Sequence, residues 1–113
     1  MPLWQKKMNL INVVIIGAKG YAGEELIKTL SKHPKVKIVS LSDKMNGTNV
    51  PISEIYPHIK TCPEFISGLD LLCEDVNTEK ISEIADVVFT ALPHMVSMEI
   101  VSKFITLGKK VID

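Results

Sequence analysis

The stretch Ile11-Asn12-Val13-Val14-Ile15-Ile16-Gly17-Ala18-Lys19-Gly20-Tyr21-Ala22-Gly23 decides how the chain is read. Ile11 to Ile16 is short, β-branched and almost continuously apolar, the pattern of a strand buried on both faces. Three glycines follow at positions 17, 20 and 23. Glu24 to His33 then reads as a helix, in which Ala22, Leu26 and Leu30 recur every four residues toward a sheet while Lys28 and Lys32 face water. Pro34 stops it, and Lys35 to Leu41 forms a second strand. Strand, glycine turn, helix and strand within about thirty residues make a βαβ unit, and a right-handed crossover sets its two strands parallel.

Further along, Ser42 to Cys62 is punctuated by Gly47, Pro51 and Pro57 and reads as a long connection over the sheet edge, with one short helix near Ser53 to Tyr56. Connections of that length tend to be functional or mobile. Leu69 to Cys73 is a weak strand. Asn77 or Thr78 caps a short helix running to Ile84. Asp86 to Leu92 is a strong strand, Pro93 and His94 form a turn, and Ser97 to Leu107 is a helix with Val96, Ile100, Phe104 and Leu107 on one face. Gly108 ends it, and Lys110 to Ile112 begins another strand. Strands and helices alternate throughout, so the class is α/β, with a mostly parallel sheet and helices on both faces.

The chain has 113 residues, of which 46% are hydrophobic and 23% charged, enough for one core. Residues 1–7 fit no element and are read as a flexible extension to a domain spanning 8–113. Lysine plus arginine and aspartate plus glutamate number 13 each, so the formal net charge is zero. That argues against a general nucleic-acid or membrane-surface binder, both of which rely on basic excess. No apolar run approaches the length of a membrane span. Cys62 and Cys73 lack the spacing of a zinc site or a redox pair. They read as reduced thiols of a cytoplasmic protein, packing or at the surface.

The chemistry points to the glycines. A dinucleotide's pyrophosphate needs donors, and a helix N-terminus offers free N–H groups with about half a positive charge. Gly17 would make the turn out of the first strand, Gly20 would let the backbone reach the phosphates, and Gly23 would let the helix pack close. The spacing G-x-x-G-x-x-G is a variant of the commoner fingerprint. Its weight comes from the buried strand before it and the amphipathic helix after it; the alternative is a plain glycine turn. After the second strand, Ser42 and Lys44 suit a ribose 2′-phosphate, whereas Asp43 suits the 2′-hydroxyl of NAD. Spacing leaves both open. Thr90 to His94 would border the ligand at a strand's carboxyl end. His94 is a catalytic candidate, but a histidine in a turn is more often structural.

Several of these segments, taken together and in order, resemble the N-acetyl-γ-glutamyl-phosphate reductase family. They are Gly17 to Leu26, His33-Pro34, Ser53-Glu54-Ile55-Tyr56-Pro57-His58, and Asp86 to His94 with Ser97. The resemblance implies a Rossmann-type domain and NADPH-dependent reduction of a small acyl phosphate to a semialdehyde. By position it places Gly17, Gly20, Tyr21, Ala22 and Gly23 at the pyrophosphate, Ser42 and Lys44 near the 2′-phosphate, and Leu92 and Pro93 near the nicotinamide. Family members usually carry arginine at Lys44 and a small polar residue at Asp43. The family's catalytic cysteine and histidine fall beyond Asp113, so the resemblance implies the N-terminal part of a longer enzyme, with no catalytic residue of its own. A non-catalytic nucleotide sensor, or the same domain of an aspartyl- or aminoadipyl-phosphate reductase, are the alternatives. An exposed apolar surface is expected too, and with it either self-association into a homo-oligomer or marginal stability.

Overall fold

A computed structural model describes residues 10–56, 71–92 and 94–112, with 94–96 by backbone only. The extension at residues 1–7, the Pro57 to Cys62 part of the long connection, the Leu69 start of the weak strand, and Pro93 lie outside the described residues. The elements are β1 (Ile11–Ile16), α1 (Tyr21–Ser31), β2 (Val36–Ser42), β3 (Val50–Pro51), α2 (Ile52–Ile55), β4 (Leu72–Glu74), α3 (Thr78–Ile84), β5 (Val87–Thr90), α4 (His94–Thr106) and β6 (Lys110–Ile112).

The sheet runs β3-β4-β2-β1-β5-β6. Every pairing is parallel except β3 with β4. β1 lies at the centre, and its alternating side chains feed two separate cores. Val13 and Ile15 pack with Ile27 and Leu30 of α1 and Ile52 of α2. Val14 and Ile16 pack with Ile81 of α3 and Phe104 of α4. Covering both faces is why this strand is apolar without alternation. Each such buried aliphatic side chain contributes roughly 1.5–3 kcal/mol.

Several expectations shift. α1 begins at Tyr21 rather than Glu24, because the Gly20 carbonyl already accepts the Glu24 N–H at 2.9 Å. Its buried face is Gly23, Ile27, Leu30 and Ser31, whereas Ala22 is exposed and Leu26 half-buried. Gly23 must face the turn after β1, and that fixes the helix's rotation. β2 lies one residue later than read, its register pairing Ile11 with Val36 and Ile16 with Ser42. The long connection contains an unexpected edge strand, β3, whose Pro51 is tolerated at an edge. β4 is shifted to Leu72–Glu74.

β5 is shorter than the apolar run suggested. It starts after Asp86, whose carboxylate accepts the Asn12 N–H at 2.8 Å. His94 opens α4 rather than sitting in a turn. On α4, Ser97 and Phe104 are buried, but Leu107 past its end is 48% exposed. Of the two candidate caps of α3, Asn77 takes the role, its side chain accepting the Lys80 N–H, and Thr78 is the first helical residue.

Candidate functional site

β1 is flanked by β2 on one side and β5 on the other, so the chain's order reverses between β1 and β5. Ligands of open α/β sheets bind in the crevice outside the strands' carboxyl ends at such a reversal. The glycine turn occupies that place.

Steric demand explains two of its glycines. Gly17 adopts φ +95°, and a Cβ there would stand 2.8 Å from the carbonyl carbon and oxygen of Ala91. A Cβ on Gly23 would run into the Gly17 carbonyl oxygen and lie 2.8 Å from Ala18 Cα. Gly20 is different. Its φ is −81°, and its Cβ would meet nothing nearer than the Gly17 oxygen at 3.7 Å. The folded chain itself has no need of glycine at position 20, so the absent side chain leaves open room on the outer side of the turn.

Hydrogen bonds hold the turn from beneath. The Ser42 carbonyl accepts from Gly17 N–H (2.7 Å) and Ala18 N–H (3.1 Å). The Ser42 side chain itself is buried, 1% exposed. It therefore offers no exposed hydroxyl, and the residue serves the turn through its backbone. Gly20, the N-cap of α1, has no side chain with which to cap it. The N–H groups of Tyr21, Ala22 and Gly23 are those that any helix leaves without an internal acceptor. They point out of the helix start with its positive end behind them, which suits an anion. Tyr21 is 81% exposed beside them.

Tyr56, just past α2, donates its hydroxyl to the Ala18 carbonyl at 2.7 Å and lies 3.1 Å from the Gly20 carbonyl. Burial pushes its hydroxyl up to about 12, with the nearby Glu24 and Asp43 carboxylates adding to the effect. It remains a protonated donor at any physiological pH.

After β2, Asp43 faces the turn and not away from it. Its carboxylate accepts from Lys19 N–H (2.9 Å) and Lys44 N–H (2.7 Å). The Lys19 ammonium donates to the Lys44 carbonyl at 2.7 Å. Lys44 is exposed. Further on, Asn46 and Gly47 take positive φ, 54° and 81°. The Asp75 carboxylate accepts from Met45 N–H (2.8 Å) and Gly47 N–H (2.7 Å). Those two bonds hold Asp75 below the usual carboxylate range.

At the end of β5, Leu92 is half-buried against the second core, and Ala91 N–H donates to the Ile16 carbonyl at 2.8 Å. Thr90 is buried, its hydroxyl 3.1 Å from that of Ser97, and so faces inward. The side chains of His58 and His94 lie outside the described residues. His33 is exposed and its Nδ1 accepts the Lys35 N–H. Cys73 is a buried free thiol, pushed up to about 11 chiefly by burial, which makes it a packing residue and a poor nucleophile. Among the described residues no cluster of metal-ligating side chains exists, and no helix is long and apolar enough to cross a membrane. An open cleft beyond β4 is lined by Glu74, Asp75, Glu79 and Lys80; three carboxylates against one ammonium, itself paired with Glu74 at 3.3 Å, suit an anion poorly.

The structure thus gathers Gly17, Gly20, Tyr21, Ala22, Gly23, Ser42, Lys44 and Leu92 at the carboxyl ends of the inner strands β1, β2 and β5. Sequence reasoning missed the hydroxyl of Tyr56 and the carboxylates of Asp43 and Asp75 as supports. The Tyr56 motif was visible, but nothing local tied it to a turn 36 residues earlier.

Comparison with known proteins adds the following. The family described as "Semialdehyde dehydrogenase, NAD binding domain" matches residues 12–113. The N-acetyl-gamma-glutamyl-phosphate reductase of Halothermothrix orenii is 43% identical over 104 residues, 92% of this chain and 28% of that protein. That of Geotalea daltonii is 40% identical over 105 residues, with the same coverage of 92% and 28%. A crystal structure of aspartate semialdehyde dehydrogenase with NADP from Candida albicans superposes with a TM-score of 0.74 at 26% identity, covering 90% of this chain and 28% of that one. The chain therefore spans just over a quarter of the length of these relatives.

Proposed function

The chain belongs to the NAD-binding domains of the semialdehyde dehydrogenase family, and we propose that it binds NADP(H) for the reduction of an acyl phosphate to a semialdehyde, of the N-acetyl-γ-glutamyl type. The carrying observation is the glycine turn: three open amides at a helix start, in the crevice of the sheet, with a Gly20 that only a ligand requires. Tyr21, Ala22 and Gly23 amides would hold the pyrophosphate, with Gly17 shaping the turn and Ser42 hanging it from β2. Leu92 and Pro93 would border the nicotinamide. The bound cofactor supplies hydride. This chain's share is to bind and orient it, and chemistry at the acyl group belongs to the longer protein that the relatives represent. The names of the curated relatives support the acetylglutamyl substrate; the aspartyl alternative has the structural neighbour in its favour.

NADP is favoured over NAD by the orientation of Asp43. Both its oxygens are engaged by the backbone of Lys19 and Lys44, while the Lys44 side chain is exposed and available to a 2′-phosphate. Calorimetric titration with each cofactor tests this. NADP should bind ahead of NAD, and Lys44→Ala should lower NADP affinity about tenfold, the worth of one charge-assisted contact, while sparing NAD. Equal binding of the two would make Asp43 the ribose contact instead.

Self-association and a cytoplasmic setting complete the proposal. Met98, Ile105, Leu107 and Ile112 are large, apolar and about half exposed on α4, β6 and the turn between them, the kind of surface that an interface covers. Sedimentation should find a dimer or larger species, and a strictly monomeric chain would count against it.

A further inference from the structure

Tyr56 belongs to the Ser53 to His58 motif, which the cofactor reading leaves unused. Its ring is buried in the core shared by Val13, Ile15, Ala18 and Ile27. Only the hydroxyl reaches out of that core, and it reaches the two carbonyls of Ala18 and Gly20, at 2.7 and 3.1 Å. Those carbonyls lie on either side of Lys19, within the turn itself.

A trans peptide is a rigid plane in which the C=O of one residue and the N–H of the next point in opposite directions. Holding the Gly20 carbonyl toward the core therefore turns the Tyr21 N–H outward. Holding the Ala18 carbonyl does the same for the Lys19 N–H, which meets Asp43 at 2.9 Å. The hydroxyl's one proton is shared between the two carbonyls, the Ala18 oxygen being the nearer. The Gly20 carbonyl also accepts the Glu24 N–H at 2.9 Å, so its orientation is set by the first turn of α1 together with the weaker arm of that shared bond.

We infer that Tyr56 is a positioning residue for the pyrophosphate site: from beneath the glycine turn its hydroxyl sets the peptide planes that aim the Tyr21 amide at the ligand. The inference rests on the reading of that turn as the pyrophosphate site. It also gives the short β3–α2 edge a purpose, because α2 delivers Tyr56 to a turn that is remote in sequence. A purely structural alternative exists, in which the hydroxyl merely satisfies two carbonyls at a core boundary.

The two differ in which ligand feels the loss. Tyr56→Phe keeps the ring and removes the donor. The variant chain would be titrated calorimetrically with NADP and, separately, with 2′-AMP, which carries the adenosine and 2′-phosphate but no pyrophosphate. Positioning predicts that NADP weakens about three- to tenfold, the range for one lost hydrogen bond, while 2′-AMP affinity stays unchanged. Equal weakening of both ligands, or no weakening of NADP, overturns the inference. Failure of the parent chain to bind NADP is a different outcome: it overturns the cofactor reading, and this inference falls with it. Should the variant melt below the assay temperature, a ring-fluorinated tyrosine placed at position 56 keeps the fold and donates more strongly. It should tighten NADP and leave 2′-AMP alone, and the reverse pattern would overturn the inference equally.

Discussion

The turn after β1 and the loop after β2 lie side by side at the carboxyl ends of two neighbouring inner strands, yet they are held by opposite means. The first is fixed by what is missing. Gly17 and Gly23 lack the Cβ atoms that would strike the backbone of Ala91 and of Gly17 and Ala18, and the Ser42 carbonyl holds two successive amides. The second is fixed by charge: Asp43 and Asp75 reach across to backbone N–H groups of Lys19, Lys44, Met45 and Gly47. A steric lock tolerates no added atom and is indifferent to pH. An electrostatic clamp tolerates substitution around it but answers to protonation. The contrast also separates residues the fold requires from those only a ligand requires, and substitutions can test both distinctions.

The largest effect is expected within the steric lock itself. Gly23→Ala places a methyl against backbone atoms that cannot swing aside, so it should cost about 3 kcal/mol or more, the upper end for overpacking a core. Thermal melting should show a large fall or no cooperative transition. Gly20→Ala, three residues earlier, adds the same methyl in open space. Stability should change by less than about 1 kcal/mol in either direction, since alanine at an ordinary φ stabilises through the unfolded chain while at the N-cap of α1 it is less favourable than glycine. NADP affinity should nevertheless drop about tenfold, because the methyl occupies the phosphate's approach. Similar melting losses at both positions would dissolve the distinction between the two glycines. A Gly20→Ala chain that binds NADP like the parent would remove position 20 from the site.

Legibility in the sequence follows the same division. β1 and β6 are legible to the residue and the cap of α3 to one of two neighbours, Asn77 or Thr78, since each depends on signals within a few positions: a β-branched run, a short run after a glycine stop, a capping side chain. The roles of Gly17 and Gly23 were equally legible, being demands of a single tight turn. What escaped depends on distant partners. β3 is two residues long, contains Pro51, and is a strand only because β4 lies beside it. The buried face of α1 rotates away from the Ala22 stripe because Gly23 must meet the turn, which periodicity alone does not encode. Ser42 was read for its hydroxyl, whereas burial leaves its carbonyl to act. Asp43 was weighed as a ribose ligand on spacing, but it is turned inward by a lysine amide 24 residues away.

The smallest expected effect tests the clamp. Asp75 is held below its ordinary range by the Met45 and Gly47 amides, so its ionised form is favoured by folding. A carboxylate whose native value is depressed adds stability that is fully present above the unfolded value, about 4, and is lost as pH falls through the lower native value. Asp75→Asn keeps the shape but leaves one carbonyl oxygen where two oxygens accepted, and sets an NH2 against a backbone donor. The variant should therefore melt slightly below the parent at pH 7, with the gap starting to close below about 4 and gone once pH has passed below the depressed native value, where the parent's own carboxylate is neutral too. The loosened loop carries Lys44, so NADP should weaken about threefold, as expected when binding must order a segment that the fold no longer holds, while Gly20-centred contacts persist and NAD is spared. Melting curves that stay parallel from pH 7 to pH 3 would show that Asp75 does not clamp the loop. Equal losses for NADP and NAD would show that its influence reaches the glycine turn, and the two regions would then have to be treated as one mechanical unit.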